Sequence, residues 1–298
     1  MVVSQDRIDA VIATYQKATT ANQDTASRQG NTIVLSPVVA DEVMVTADLH
    51  GNRLNFNKIC QIADLDGHPQ RHLVMQEVCH GGPAYPTEGG CMSHTLLEDV
   101  ALLKVEHPGR VHFILSNHEL AELTDYPIIK ARKMLNLLFR SGLQQMYGEA
   151  AEAVRQAMLP FLRSLPLAVR LSTGIMICHS LPAQIDSHPF DPGVLDRPLE
   201  DADLIEGGAA FRLVWGRDYQ EENAAAFARL VGAEIVITGH EPCVQGYLVP
   251  NSRQIILDCS GNQACYVMLP TTGKLSQQEI VQRIKSLNNN EPIQSPAR

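Results

Sequence analysis

The chain has 298 residues, of which 45% are hydrophobic, and a formal net charge of -9 at pH 7. Such a chain forms one large domain or two ordinary ones, with enough apolar side chains for a sizeable core. The acidic balance excludes the broad basic surface of a nucleic-acid-binding protein. A phosphate-binding site in this chain would therefore take its positive charge from metal ions or from a few arginines.

The cysteines and the apolar runs bear on the compartment. None of the seven cysteines belongs to a Cys-x-x-Cys pair, and several lie in apolar, strand-like runs, which is typical of reduced, buried thiols. The first residues lack the basic and then apolar pattern of a signal peptide. No apolar run reaches the roughly 18 residues of a membrane span. We therefore expect a cytoplasmic protein with neither membrane nor nucleic-acid partners.

The N-terminal part of the chain is predicted as a helix and a linker. Apolar residues at helical spacing predict a helix over about residues 6–17. Residues 19–31 are rich in Thr, Gln, Asn and Asp, a composition typical of a linker or mobile arm. We therefore expect the main domain to span 32–287, between this N-terminal part (1–31) and a polar tail (288–298).

The first half of the main domain alternates between strands and helices. The predicted elements are a strand at 43–47, a helix at 52–63, a strand at 72–75, a glycine-rich loop at 79–90, a helix capped by Ser93, and a strand ending at Leu115. This order predicts a βαβαβ core with parallel strand pairing.

The second half changes pattern. Apolar residues at helical spacing predict a helical insertion over about 120–165. Further strands follow without long helices between them, at 167–171, 175–178, 235–238, 246–249, 255–257 and 264–268. The turn at 250–252 predicts a hairpin and thus antiparallel pairing in this half. A last helix is predicted at 276–287. The combination indicates one mixed sheet or two sheets packed face to face.

Four short polar motifs follow predicted strands. They are Asp-Leu-His-Gly-Asn from Asp48, Ser-Asn-His-Glu from Ser116, Cys-His-Ser from Cys178 and Gly-His from Gly239. Strand ends of α/β folds present side chains from a rigid backbone into a crevice, so sites form there. Carboxylates, imidazoles and amide oxygens are ligands of hard-to-borderline divalent metals. The repeated pattern therefore predicts a metal site.

The order of these motifs resembles that of the calcineurin-like metallophosphoesterases. The Asn-His-Glu form and the segment Trp215-Gly216-Arg217 are most similar to the branch that contains the serine/threonine protein phosphatases. The resemblance spans about 43–268. It implies an α/β fold, a sandwich of two mixed β-sheets flanked by helices, with the helical insertion.

The resemblance also implies a role for each motif residue. His118 would donate a proton to the leaving group, and Arg217 would contact the phosphate. The implied ligands of two divalent ions (Mn, Fe or Zn) are Asp48, His50, Glu77, Asn117, His179 and His240, with Glu77 as the bridge. Two such ions about 3.5–4 Å apart hold a phosphoryl group and generate a hydroxide nucleophile near neutral pH.

The segment after the second strand departs from the family pattern. The branch has Gly-Asp-x-x-Asp-Arg-Gly where this chain has Gln-Glu-Val-Cys-His-Gly-Gly at 76–82. His80 replaces the Asp that would orient His118, and Gly81 replaces the arginine that would grip phosphate. Because His80 lies in a glycine-rich loop, it is interpreted as an exposed residue outside the site.

Three hypotheses of function follow. The leading one is a dinuclear metal-dependent phosphoesterase acting on a phosphomonoester, either a small molecule or phosphoserine or phosphothreonine in a protein. The altered segment 76–82 supports a second, a phosphatase-like binding or regulatory module with weak or no turnover. The third is a hydrolase of dinucleoside polyphosphates or phosphodiesters.

Overall fold

The computed structural model describes residues 3–86 and 89–288. The elements of the first half are α1 (Gln5–Gln23), β1 (Arg28–Gln29), β2 (Thr32–Leu35), β3 (Glu42–Asp48), α2 (Arg53–Ala63), β4 (Arg71–Gln76), α3 (Ser93–Glu106), β5 (Val111–Ile114) and α4 (Asn117–Thr124). The insertion continues with β6 (Ile129–Lys130), β7 (Lys133–Met134), α5 (Leu135–Tyr147) and α6 (Ala151–Arg163).

The second half supplies the remaining strands and four further helices among the described residues. They are β8 (Ala168–Leu171), β9 (Ile175–Cys178), α7 (Asp201–Leu204), α8 (Ala209–Trp215), α9 (Glu221–Val231), β10 (Ile235–Thr238), β11 (Tyr247–Leu248), β12 (Gln254–Leu257), β13 (Cys265–Pro270), α10 (Gln277–Val281) and β14 (Ile284–Ser286). Short 3-10 turns lie at Gly148–Ala150 and Pro192–Leu195.

The predicted βαβαβ core forms the centre of a five-stranded mixed sheet. Its strand order is β14-β13-β3-β4-β5, with β3, β4 and β5 parallel and β13 antiparallel to β3. All six residues of β4 are buried, as expected for a strand covered on both faces. The parallel pairing predicted for the first half is confirmed.

The second sheet has seven strands in the order β1-β2-β8-β9-β10-β12-β11. The hairpin predicted at 250–252 is confirmed, because β11 and β12 pair antiparallel. The prediction that no long helices separate the strands of this half was wrong. Helices α8 and α9 connect β9 to β10, which are therefore parallel. Two mixed sheets with helices on their faces make the α/β sandwich that the resemblance implied.

The N-terminal segment is more ordered than its composition predicted. Helix α1 runs six residues past residue 17 and packs on α3 and α6, with Ala18 and Asn22 buried. Asn22 Nδ2 donates to Ser164 Oγ at 2.9 Å. Strands β1 and β2 follow, and β2 joins the seven-stranded sheet beside β8. Polar composition suggested a linker, but these polar side chains have partners far away in the sequence.

Two other elements differ from prediction. The last helix is short, and the chain after α10 forms β14, which pairs antiparallel with β13 and ends the five-stranded sheet. Ser93 does not cap α3: the cap residue is Met92, and the Ser93 hydroxyl instead accepts the His80 N–H at 3.0 Å. The predicted tail beyond residue 288 lies outside the described residues.

The carboxyl ends of the parallel strands define where a site can form. The ends of β3, β4 and β5 lie at one edge of the first sheet, and β9 and β10 end beside them in the second. The Asp48 carbonyl accepts the Cys259 N–H, which ties the end of β3 to the chain between β12 and β13. All seven cysteines are free thiols. Within the described ranges, no helix has the length and apolar character needed to cross a membrane.

Candidate metal centre

The backbone at the strand ends is strained where the motif residues lie. Non-glycine residues with positive φ include His50 (44°), Glu77 (47°), His80 (62°) and His240 (73°). Such conformations cost about 1–3 kcal/mol each and persist where the surrounding structure imposes them, often at functional sites. Four of them at one edge of the sandwich indicate a functional site there.

Asp48 ends β3 beside a register irregularity that begins after Val45. Its Oδ2 accepts the His240 N–H at 2.8 Å, whereas its buried Oδ1 has no hydrogen-bond partner. The end of β10 approaches this closely because residue 239 is glycine: a Cβ there would lie 2.2 Å from Asp48 Oδ1. Burial, and then the charge of Glu77, raise the pKa of Asp48 well above its usual value. A bound cation would relieve both effects.

Glu77 lies between two groups of donor atoms. Its Oε1 is 3.0 Å from His50 Nε2 and 3.5 Å from His118 Nε2, and its Oε2 is 2.6 Å from His179 Nε2. Among the described residues, two three-residue groups have ligand spacing for a metal ion, and both contain this carboxylate. His50 and His118 complete one group, and His179 and His240 complete the other. The two candidate groups thus share this side chain.

The second group also contains Asn117, the first residue of α4. Its Oδ1 is 2.7 Å from His179 Nε2 and 3.0 Å from His240 Nδ1, and the two imidazoles are 3.1 Å apart at those nitrogens. Side-chain atoms from strand ends of both sheets therefore converge on one point.

The protonation state of His179 follows from Gln76. The Gln76 amide donates to the Thr46 carbonyl, so its Oε1 faces the His179 ring and accepts the Nδ1 proton at 2.8 Å. Burial lowers the pKa of His179 to about 3, so the ring is neutral and its Nε2 carries a lone pair. A hydrogen bond of this kind from the distal nitrogen is usual for a metal-bound histidine.

The donor atoms fit divalent cations. With Glu77 ionised and the proton on His179 Nδ1, the 2.6 Å contact of Nε2 with Glu77 Oε2 joins two lone pairs, and Oε2 has no other hydrogen-bond partner among the described residues. Asp48 Oδ1 is also buried without a partner. Unpaired buried acceptors are costly, and bound cations would satisfy them.

The fold brings most of the predicted site residues together. His50, Glu77, Asn117, His179 and His240 lie in the two donor groups or within hydrogen-bonding distance of their atoms. Asp48 lies at the edge, with Oδ1 3.9 Å from His179 Nδ1. His118 stands with His50 and Glu77, so its position suits a proton donor next to the metals and also a ligand.

Arg217 lies at the rim. Its side chain is half exposed and forms an ion pair with Glu241, which also accepts from the Tyr219 hydroxyl at 2.6 Å. Burial raises the pKa of Glu77, and the charge of Arg217 opposes this rise in part, so Arg217 acts on the site electrostatically. A substrate phosphate would have to compete with Glu241 for this guanidinium.

The interpretation of His80 as exposed was wrong. Its ring is fully buried, with Nδ1 3.0 Å from His118 Nδ1 and Nε2 2.7 Å from Glu122 Oε1. The glycines beside it are where the chain passes His50 closely: a Cβ on Gly81, at φ +139°, would lie 2.6 Å from the His50 carbonyl oxygen. Glycine content predicted flexibility, but here it permits tight packing.

Lys130 was also missed. It lies in the β6–β7 hairpin, which the sequence did not predict because its turn residues, Ala131 and Arg132, adopt positive φ without being glycine or asparagine. Lys130, His50 and His118 line the same cleft, of about 480 Å³. Among the described residues Lys130 has no acidic side chain within ion-pair distance.

Solved structures similar to this fold include phosphatases. A protein serine/threonine phosphatase from Saccharomyces cerevisiae, with similarity to human phosphatase PP5, gives a TM-score of 0.63 at 16% sequence identity over 97% of this chain and 91% of that one. A cold-active protein tyrosine phosphatase from a psychrophilic Shewanella gives 0.54 at 13% identity over 82% and 78%. No family model and no curated protein sequence matches the chain. The likeness establishes the fold: this is the α/β sandwich of these phosphatases.

Proposed function

We propose that the protein is a metal-dependent phosphoesterase that hydrolyses phosphomonoesters at a dinuclear centre. The observation that carries this proposal is Glu77, one buried carboxylate shared by two groups of metal-ligand atoms at the strand ends of a phosphatase fold. One ion would be held by Asp48, His50 and Glu77, and the other by Glu77 with Asn117, His179 and His240. Manganese, iron and zinc all suit these ligands.

The bound ions would activate water and neutralise charge on the phosphoryl oxygens. Residues of the protein would then orient the phosphate and protonate the leaving group. His118 Nε2 faces the centre from α4 and would donate a proton to the departing oxygen, a contribution of about 10²–10⁴-fold in rate. Arg217 would contact the phosphate after exchanging its partner Glu241.

Phosphate recognition must differ from that of the family's arginine clamp. Gly81 occupies the clamp position, and its φ and its proximity to His50 admit no side chain. Lys130, which has no acidic partner in the part of the chain that the structure describes, presents its charge to the same cleft from the insertion. This arrangement favours an enzyme with a relocated cation over a binding module that has lost its function.

The substrate class is a phosphomonoester, and phosphoserine or phosphothreonine in a protein is the particular class we propose. Support comes from the named activity of the Saccharomyces phosphatase and from an open cleft at the metal centre. The free thiols are compatible with a cytoplasmic setting.

The experiment compares wild type, Asp48→Asn and His118→Asn for metal content and turnover of p-nitrophenyl phosphate with Mn²⁺. Asp48→Asn should lower both metal content and turnover, whereas His118→Asn should lower mainly turnover. Glu98→Gln, a buried glutamate bonded to His94 and Tyr147 away from the centre, is the matched control and should keep both. Equal turnover and equal metal content in all four proteins would refute the proposal.

A further inference from the structure

The ring of His80 is held on every side. Its backbone N–H donates to Ser93 Oγ at 3.0 Å, and the ring meets Phe139 edge-on with centroids 5.7 Å apart. Both ring nitrogens have a partner on α4: Nδ1 faces His118, and Nε2 faces Glu122. The fold thus fixes this ring tightly, although His80 belongs to neither group of metal-ligand atoms.

The three side chains form a line that leads away from the metal centre. His118 and Glu122 are four residues apart on one face of α4, and the His80 ring lies between them. Glu122 is completely buried, and its second oxygen has no other hydrogen-bond partner among the described residues. Its charge is therefore compensated by His80.

Donor and acceptor roles follow from chemistry. A carboxylate only accepts, so His80 Nε2 carries a proton that it donates to Glu122. At the other end two Nδ1 atoms are 3.0 Å apart, so one of them carries a proton and the other does not. His118 must carry its own proton on Nε2 to protonate a leaving group.

One arrangement meets all these requirements. The buried Glu122 carboxylate needs a positive charge beside it, and the ring in contact with it is His80, so His80 carries the extra proton and His118 a single one. With that proton on Nε2, His118 Nδ1 is the acceptor and His80 Nδ1 the donor. His80 then carries both ring protons, and its positive charge lies against the Glu122 carboxylate.

We propose that His80 and Glu122 position His118 and resupply its proton, as a buried His118–His80–Glu122 relay. This inference rests on the proposed function. In the step, the P–O bond breaks and its electron pair stays on the leaving oxygen, which takes the proton from His118 Nε2. His118 Nδ1 takes the proton from His80 Nδ1, and neutral His80 keeps its Nε2 proton bonded to Glu122. The pair thus replaces the orienting carboxylate that segment 76–82 lacks.

The kinetic test uses leaving groups that differ in their need for a proton. Glu122→Gln keeps the size and an acceptor for His80 Nε2 but removes the charge. For phenyl phosphate, whose leaving group is tyrosine-like, kcat should fall by ~10²-fold, the lower end of general acid catalysis. For p-nitrophenyl phosphate, which needs little protonation, kcat should fall far less, and KM should not change for either. Glu122→Asp should restore part of the loss.

The same measurement on Glu98→Gln is the matched control, because Glu98 is also buried against a histidine, His94, at 3.2 Å. Its ratio of phenyl phosphate to p-nitrophenyl phosphate turnover should equal that of wild type. If Glu122→Gln loses turnover equally on both substrates, so that the ratio of phenyl phosphate to p-nitrophenyl phosphate turnover stays that of wild type, the relay is overturned.

A second readout requires neither metal nor turnover. Long-range proton–nitrogen NMR spectra of histidine-labelled, metal-free protein report which ring nitrogens carry protons, and His80→Gln assigns the His80 resonances by their loss. We expect two protonated nitrogens on His80 in wild type and one in Glu122→Gln. A bare His80 Nδ1 in wild type would contradict the relay. A wild type with the expected spectrum but no hydrolysis of any ester would refute the proposed function and leave the relay geometry standing.

Discussion

Glu77→Gln is expected to stabilise the metal-free protein and to weaken its response to metal. The carboxyl group is buried, and chiefly burial raises its pKa from an ordinary value of 4.5 to about 7. Between these values the folded state holds the proton that the unfolded chain has released, so stability falls as pH rises through this range. At ~1.36 kcal/mol per pH unit the loss amounts to about 3 kcal/mol.

The assay is urea unfolding with EDTA and with Mn²⁺, at about pH 5 and about pH 8, on either side of this range. In EDTA the free energy of unfolding of wild type should fall between the two pH values by the amount that Glu77 contributes. The variant should not show this fall, so it should be the more stable protein at the higher pH. At ~100 times its Kd, Mn²⁺ should stabilise wild type by about 2.7 kcal/mol. The variant should gain much less, because both donor groups lose their shared carboxylate.

Glu98→Gln again serves as control, since it removes a buried carboxylate that belongs to neither donor group. Its gain in stability on addition of Mn²⁺ should match that of wild type. The reasoning is refuted if Glu77→Gln gains as much from Mn²⁺ as wild type does. It is equally refuted if the metal-free variant is the less stable protein at the higher pH.

Two further predictions concern phosphate recognition. Lys130→Ala should raise KM for a phosphorylated substrate by roughly 2–5-fold, the range expected of an exposed charge pair. Lys133→Ala is the control, because Lys133 lies outside the cleft, and it should leave KM unchanged. Equal KM values for the two variants in steady-state kinetics would contradict the role of Lys130. Gly81→Arg should cost about 1–3 kcal/mol of stability in urea unfolding and raise no activity, because the backbone conformation and the His50 carbonyl oppose a side chain. Gly109→Arg, where a Cβ meets open space, is its control, and a stable, more active Gly81→Arg would show the reasoning to be wrong.

Much of the fold could be predicted because local patterns of apolar residues determine its main elements. Continuous apolar runs marked β3, β4, β9 and β10 to within a residue or two, since strands buried on both faces are apolar throughout. Helix α8 and helix α9, by contrast, were missed, and the terminal strand β14 was predicted as helix. Short elements of this kind depend on the surface they pack against, which their own sequence does not contain.

The ligand residues could be proposed for the same local reason. Each follows a recognisable strand, and parallel strands bring their carboxyl ends to one edge, so the sequence alone predicts that Asp48 and Asn117 lie near each other. The family resemblance added His179 to them. The structure brings them together around Glu77, and it adds the unpaired lone pairs that a cation would satisfy.

Sequence by itself determined the types of side chain at the strand ends and the order of the elements that carry them. Tertiary structure alone decided that His80 is buried, that Glu122 lies behind it and that Lys130 faces the cleft. The physical reason is that burial and partner choice come from residues distant in the chain: Ser93, Phe139 and α4 enclose a histidine whose glycine-rich neighbourhood predicted exposure. Local pattern thus indicated the proposed metal ligands, and packing decided which other groups lie beside them.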